Sequence, residues 1–226
     1  MMKITLLFLA LVLSSSTFAQ KRTYDTLPNM PEHYVTRCQL FQKEPIVTGR
    51  IVMVGNSITE GTDWRRLLGD TTIINRGISG DVTFGVLNRL KEITDRKPSK
   101  LFLLIGVNDL SRNTPDEVII ENIFSIVNKI HSQSPGTAIY IQSILPQNES
   151  FKNLHKAFRE KGEHVKTINA QLKKYDKKLK YTYIDLYSNF LDTEGRMDAK
   201  LTYDGLHLSA AGYDRWVEIL KKEKYL

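Results

Sequence analysis

Cysteine is almost missing from this chain: Cys38 is the only one among 226 residues. No internal disulfide can form, so packing alone must hold the fold. Cys38 lies in Tyr34-Val-Thr-Arg-Cys-Gln-Leu-Phe41 and reads as a small buried hydrophobe rather than a nucleophile. Long apolar runs are also missing. The run Ile4 to Leu13 is about half of the ~20 residues that a membrane span needs. It follows a short basic start, Met1-Met2-Lys3, and precedes Ser14-Ser-Ser-Thr-Phe-Ala19. That pattern predicts a secretory signal peptide over residues 1–19, cut after Ala19. Residues 20–226 then form a single domain of an exported protein, periplasmic or secreted. No cysteine stands at the cut site, so lipidation there is not expected, and the short apolar run argues against a stable membrane anchor.

Several ligand signatures are absent as well. There is no Gly-Lys-Ser/Thr, the Gly55 loop lacks the second glycine of a dinucleotide fingerprint, and no His/Cys cluster has zinc spacing. No cofactor and no metal are expected. Acidic excess is lacking too: the formal charge is +7. Lys173, Lys174, Lys177, Lys178 and Lys180 crowd one stretch. They read as a solvated helix face, with attraction to anionic glycans or lipid headgroups as the alternative. No nucleic-acid motif is present, and no nucleic-acid partner is expected.

What is present is alternation. Residues 20 to 31 read as an extended arm, and Glu32 to Lys43 as a helix ending at Pro45. Ile51-Val-Met-Val54 is a buried strand, and Trp64, Leu67 and Leu68 share one helix face. Thr71-Thr-Ile-Ile-Asn75 is a β-branched second strand; a helix over Val82 to Ile93 follows. Leu101-Phe-Leu-Leu-Ile105 is apolar throughout, as a strand buried on both faces must be. Thr114-Pro-Asp-Glu117 reads as a capping box opening a helix with the stripe Ile119, Ile123, Ile126, Val127, Ile130. Ala138 to Gln142 is the fourth strand. A helix with Val165, Ile168, Leu172 and Tyr175 precedes the fifth strand, Tyr181 to Leu186. Ser209 caps a last helix carrying Tyr213, Trp216, Val217 and Leu220. Five strands alternating with helices predict an α/β fold: a parallel sheet covered on both faces, a three-layer α/β/α sandwich.

Ester hydrolysis needs a nucleophile, donors for an oxyanion, a base and an acid that orients the base. Four strand-end loops offer these. Ser57 follows the first strand in Gly55-Asn-Ser-Ile-Thr, which does not match the Gly-x-Ser-x-Gly elbow. Gly80 lies in Arg76-Gly-Ile-Ser-Gly-Asp81, where a glycine lets its N–H approach a ligand. Asn108, in Gly106-Val-Asn-Asp109, offers two uncharged donors. In Asp204-Gly-Leu-His207, residues three apart on a helical turn would face the same way. Asp204 could then accept from one ring nitrogen of His207 and leave the other for Ser57. Imidazole exchanges protons near neutral pH, as a base must. His33, His131, His155 and His164 lie among polar neighbours and are expected at the surface.

These four blocks resemble those of the SGNH, or GDSL, hydrolase superfamily, including acetylhydrolases similar to platelet-activating-factor acetylhydrolase and exported bacterial esterases. The resemblance runs from about Ile51 to Trp216. Asn56 departs from the name-giving motif, which has Asp there. The resemblance implies a flavodoxin-like sheet ordered 2-1-3-4-5. It also implies Ser57 as nucleophile with its own N–H in the oxyanion hole, Gly80 and Asn108 completing the hole, His207 as base and Asp204 as its orienting acid. The expected activity is that of an exported serine esterase on short, acetyl-like esters of carbohydrates such as O-acetylated sugars or sialic acids. A lysophospholipase or thioesterase acting on longer chains, and a non-catalytic glycan-binding protein, are the alternatives. Loops at Thr62-Asp-Trp64, Asp109 to Arg112 and Pro146 to Phe151 are the expected pocket walls. Trp64 either lines the site or packs, and Arg112 meets either an anionic group or solvent. The oligomeric state stays open.

Overall fold

The structure is a computed structural model and describes residues 31–226. The expected signal peptide over residues 1–19 lies outside the described residues.

Helix α1 (Glu32–Lys43) leads into β1 (Ile51–Gly55). Two short helices follow, α2 (Ser57–Glu60) and α3 (Trp64–Leu68), then β2 (Ile74–Gly77). Next come α4 (Thr83–Asn88), α5 (Leu90–Thr94) and β3 (Lys100–Leu104). The chain continues through α6 (Val107–Ser111), α7 (Asp116–Gln133) and β4 (Ala138–Gln142). It ends with α8 (Gly162–Leu179), β5 (Thr182–Ile184) and α9 (Ala210–Lys222). All four strand pairings are parallel, in the order β2-β1-β3-β4-β5. The expected class and strand order both hold. Among the described residues, no helix is long and apolar enough to cross a membrane.

The sheet divides the core by the two-residue period of its strands. Val52 and Val54 of β1, with Leu101 and Leu103 of β3, face the layer made by α4, α5, α7 and α8. Met53, Phe102 and Leu104 face the opposite layer, where Trp64, Tyr213, Trp216 and Leu220 pack. Trp64 lies edge-on to Trp216, with ring centroids 4.8 Å apart, and its indole N–H donates to the Thr59 carbonyl. It packs and does not line the site.

Four local expectations fail. Thr71 and Thr72 are not strand: the Asp70 carboxylate accepts from the Thr72 N–H at 2.8 Å and from its hydroxyl at 2.6 Å. That side-chain turn delays β2 to Ile74. The helix predicted over Val82 to Ile93 is broken at Arg89, whose backbone leaves helical values (φ −102°, ψ 9°) as its guanidinium turns inward to Asp81. Thr114 does not cap α7. Its N–H is taken by the Asp109 carbonyl, and Pro115 stands at the cap instead. The fifth strand is also shorter than expected, ending at Ile184.

Register sets the height of the site. Gly55 pairs with Gly77 on one side and with Leu104 on the other. The loops carrying Ser57, Gly80 and Asn108 therefore leave the sheet at one level. The order reverses around β1, so this is the switch point at which open α/β sheets keep their ligands.

Candidate active site

Ser57 opens α2, directly after β1. The Asn56 side chain caps this turn by accepting from the Ile58 N–H at 3.0 Å. Asn at the position where the motif has Asp thus keeps the acceptor that the turn needs. The turn is pressed onto the sheet: a Cβ on Gly77 would lie 2.2 Å from the Glu60 nitrogen, and one on Gly55 would lie 2.4 Å from the Leu104 carbonyl oxygen. Only glycine permits that approach at these two strand ends.

The Ser57 hydroxyl lies 3.0 Å from His207 Nε2. On the far side of the ring, His207 Nδ1 lies 2.7 Å from Asp204 Oδ2. Asp204 and His207 are not on a helical turn as predicted. They lie in a tight loop between Thr202 and Leu208, which pair as an antiparallel bridge. Asp204 shapes the loop itself, since its Oδ1 accepts from the Leu206 N–H at 2.9 Å and the His207 N–H at 2.7 Å. The three-residue spacing works through this side-chain turn instead. Partial burial pushes the Asp204 carboxyl up. The hydrogen bonds from the His207 ring and the two backbone N–H groups outweigh it and hold the pKa below the usual carboxylate range. An ionised Asp204 fixes the ring with Nδ1 protonated and leaves Nε2 as the acceptor for the Ser57 proton.

Asn108 is buried at the start of α6, and its side-chain NH₂ donates to the Asp81 carbonyl at 2.9 Å. One of its two donor hydrogens remains. Gly80 sits just before Asp81 in a turn closed by the Asp81 N–H on the Ile78 carbonyl, 3.0 Å. Its φ of +78° explains why glycine is there, since nothing would touch an added Cβ. Behind the loop, Asp81 and Arg89 form a buried ion pair at 2.8 Å. Arg89 also donates to the Gly55 carbonyl at 3.3 Å, so one guanidinium joins the Gly80 loop to the end of β1, just before Ser57.

Several contributors were not legible beforehand. Arg112 meets neither solvent alone nor an anion: it donates to the Gly80 carbonyl at 3.1 Å. Asn148, expected in a pocket wall, is buried and braces the His207 loop. Its N–H donates to the Gly205 carbonyl at 2.9 Å, and its side chain to the Met197 carbonyl at 2.7 Å. Tyr203 stacks on the His207 ring with centroids 5.8 Å apart and planes 12° apart, yet remains 62% exposed. Only its place beside Asp204 hinted at this. The other histidines keep to the outside, except that His131 is half-buried on the Leu179 carbonyl. Among the described residues, no group of three His, Cys, Asp or Glu side chains is placed to hold a metal ion.

Residues 53–215 match the model of the GDSL-like lipase/acylhydrolase family. The chain belongs to that family. The human platelet-activating factor acetylhydrolase IB subunit alpha2 is 32% identical over 193 residues, covering 81% of this chain and 78% of the relative. A GDSL-like lipase from Bacteroides thetaiotaomicron superposes with a TM-score of 0.73 at 24% identity, covering 85% of this chain and 98% of that one. An acetyl-xylooligosaccharide esterase variant from Geobacillus shares the fold, with a TM-score of 0.63 at 16% identity over 80% of this chain and 96% of that one. This GDSL-family chain is an ester-hydrolysing serine hydrolase, an acylhydrolase whose substrate is a small-molecule ester.

Proposed function

We propose that this acylhydrolase works outside the cytoplasm and removes short acyl groups, acetyl first, from carbohydrate esters. Ser57 Oγ attacks the ester carbonyl while His207 Nε2 takes its proton, and Asp204 holds the ring for that transfer. The N–H groups of Ser57 and Gly80 and the free hydrogen of the Asn108 amide bind the oxyanion. His207 returns the proton to the leaving alcohol, then activates the water that cleaves the acyl-enzyme. The observation that carries this reading is the unbroken relay of 3.0 Å and 2.7 Å from Ser57 through His207 to Asp204.

Three features support the finer substrate. The relatives in the same family carry acetylhydrolase in their names. Residues 1–19 have the pattern of a signal peptide. The open face of Tyr203 beside the base suits stacking by a sugar ring of the leaving group.

A chain-length series of p-nitrophenyl esters, run with wild type and Ser57→Ala, tests the reading. The expected result is a maximum at acetate and loss of turnover in a folded Ser57→Ala protein. Faster hydrolysis of eight- or ten-carbon esters would reject the short-acyl assignment. Turnover that survives in Ser57→Ala would reject the nucleophile. Release of acetate from acetylated xylo-oligosaccharides or O-acetyl sialic acid then separates the sugar classes.

A further inference from the structure

The 78–81 turn is tied to β1 by the Ile78 N–H on the Gly55 carbonyl at 3.1 Å and by Arg89, but none of these bonds reaches α2, where Ser57 stands. A contact between the turn and α2 itself sets the distance from its N–H groups to Ser57 most directly. The structure has a carboxylate at that junction which the triad does not use. Glu60 is the last residue of α2, the turn that Ser57 begins. Its Oε2 accepts from the Ser79 N–H at 2.5 Å and from the Ser79 hydroxyl at 2.6 Å. One end of the nucleophile's helix is thereby bonded to the residue next to Gly80.

The same carboxylate is held from behind. His33 Nε2 lies 3.1 Å from both Glu60 oxygens, and Arg37 Nε lies 3.1 Å from Oε1. Both come from α1, which precedes residue 53, where the family match begins. Two Ser79 donors, the His33 ring and the Arg37 charge thus converge on two oxygens. A carboxylate suits this place because it accepts from Ser79 and carries the charge that pairs with Arg37, which an amide lacks. Helix α1 also seals the turn from the side: Tyr34, Phe41 and Ile78 form one buried cluster.

We propose that Glu60 is a positioning residue for the oxyanion hole, and that α1 serves the active site by holding Glu60 through His33 and Arg37. The proposal rests on the reading of Gly80 as an oxyanion donor. The grip sets the spacing between the Ser57 hydroxyl and the Gly80 N–H, and a shift of about 1 Å in such a spacing can cost ~10²-fold in rate.

The test measures kcat, KM, melting temperature and affinity for a boronic acid that adds to Ser57 as a tetrahedral anion. The proteins are wild type, Glu60→Gln, Glu60→Ala and the double variant His33→Ala/Arg37→Ala. In Glu60→Ala, kcat should fall ~10–100-fold with KM nearly unchanged, within the ~10²–10³ of losing one oxyanion donor outright. Boronate affinity should fall by the same factor, and Glu60→Gln should lie between. The double variant should lose roughly 3–10-fold in both quantities, although Glu60 itself is intact. A folded Glu60→Ala with kcat and boronate affinity within twofold of wild type would overturn the proposal, as would a loss confined to melting temperature. If Glu60→Ala does not fold, the double variant decides by the same criterion. The ester that wild type hydrolyses fastest is used, so an error about the natural substrate leaves the comparison intact. Wild-type turnover of any ester checks the catalytic reading separately.

Discussion

At the scale of single residues, two aspartates behave in opposite ways. Asp204 is held ionised by three donors, which keeps its ring partner in one tautomer. In Asp204→Asn an amide must replace an acceptor that serves the ring, and the wrong tautomer follows. Turnover should fall by roughly 10³–10⁴-fold while the protein stays folded, measured by steady-state kinetics beside a melting curve. Asp109 is buried, and burial pushes its carboxyl up to about 7, against the pull of the Thr83 N–H and hydroxyl and with the negative Asp81 nearby. A raised acid pKa means that the folded chain keeps a proton which the unfolded chain releases above about 4. Asp109 therefore costs stability progressively as pH rises from about 4 to about 7, and the full cost is present above that. Asp109→Asn mimics the protonated side chain. Its melting temperature relative to wild type should rise between pH 5 and pH 8, as calorimetry at several pH values would show.

At the scale of elements, the site depends on how α2 meets the ends of the strands. Gly77 is in contact with the Glu60 backbone, which cannot rotate away as a flexible side chain can. In Gly77→Ala the new methyl must lift α2 or push β2, and Ser57 moves with α2. Turnover should drop at least ~10-fold, with a lower melting temperature. Turnover equal to wild type in a folded variant would mean that the turn can shift without moving the hydroxyl. The elements also show where local reading stops. The capping box at Thr114 had the right residues, but Asp109 claimed the Thr114 N–H from across the site loop. The helix after Val82 had the right stripe, but the ion pair of Arg89 with Asp81 bent it. In both, a specific polar contact beat the periodic preference of the segment.

At the scale of the whole molecule, stability comes from two apolar layers on one sheet. With a single cysteine no covalent brace exists. Melting temperatures of the protein with and without a thiol reductant should coincide, because nothing internal is there to reduce. A large difference would point to a bond between chains through Cys38, which is half-buried beside the Tyr34, Phe41 and Ile78 cluster.

The sequence by itself determined the class of fold, because strand-length apolar runs alternating with helical stripes permit few arrangements other than a covered parallel sheet. It also singled out Ser57, Gly80 and Asn108, each shortly after a strand, and the Asp204–His207 pair by its block. How those loops are held emerges only in three dimensions: Asp204 folds its own loop, Asn148 stands behind it, Arg112 and Glu60 hold the Gly80 turn, and Arg89 lies beneath. Apart from Asp204's own turn, those contacts join elements distant in sequence through hydrogen bonds. Periodicity records which face of an element is apolar, and it carries no trace of which distant donor a carbonyl or carboxylate will meet.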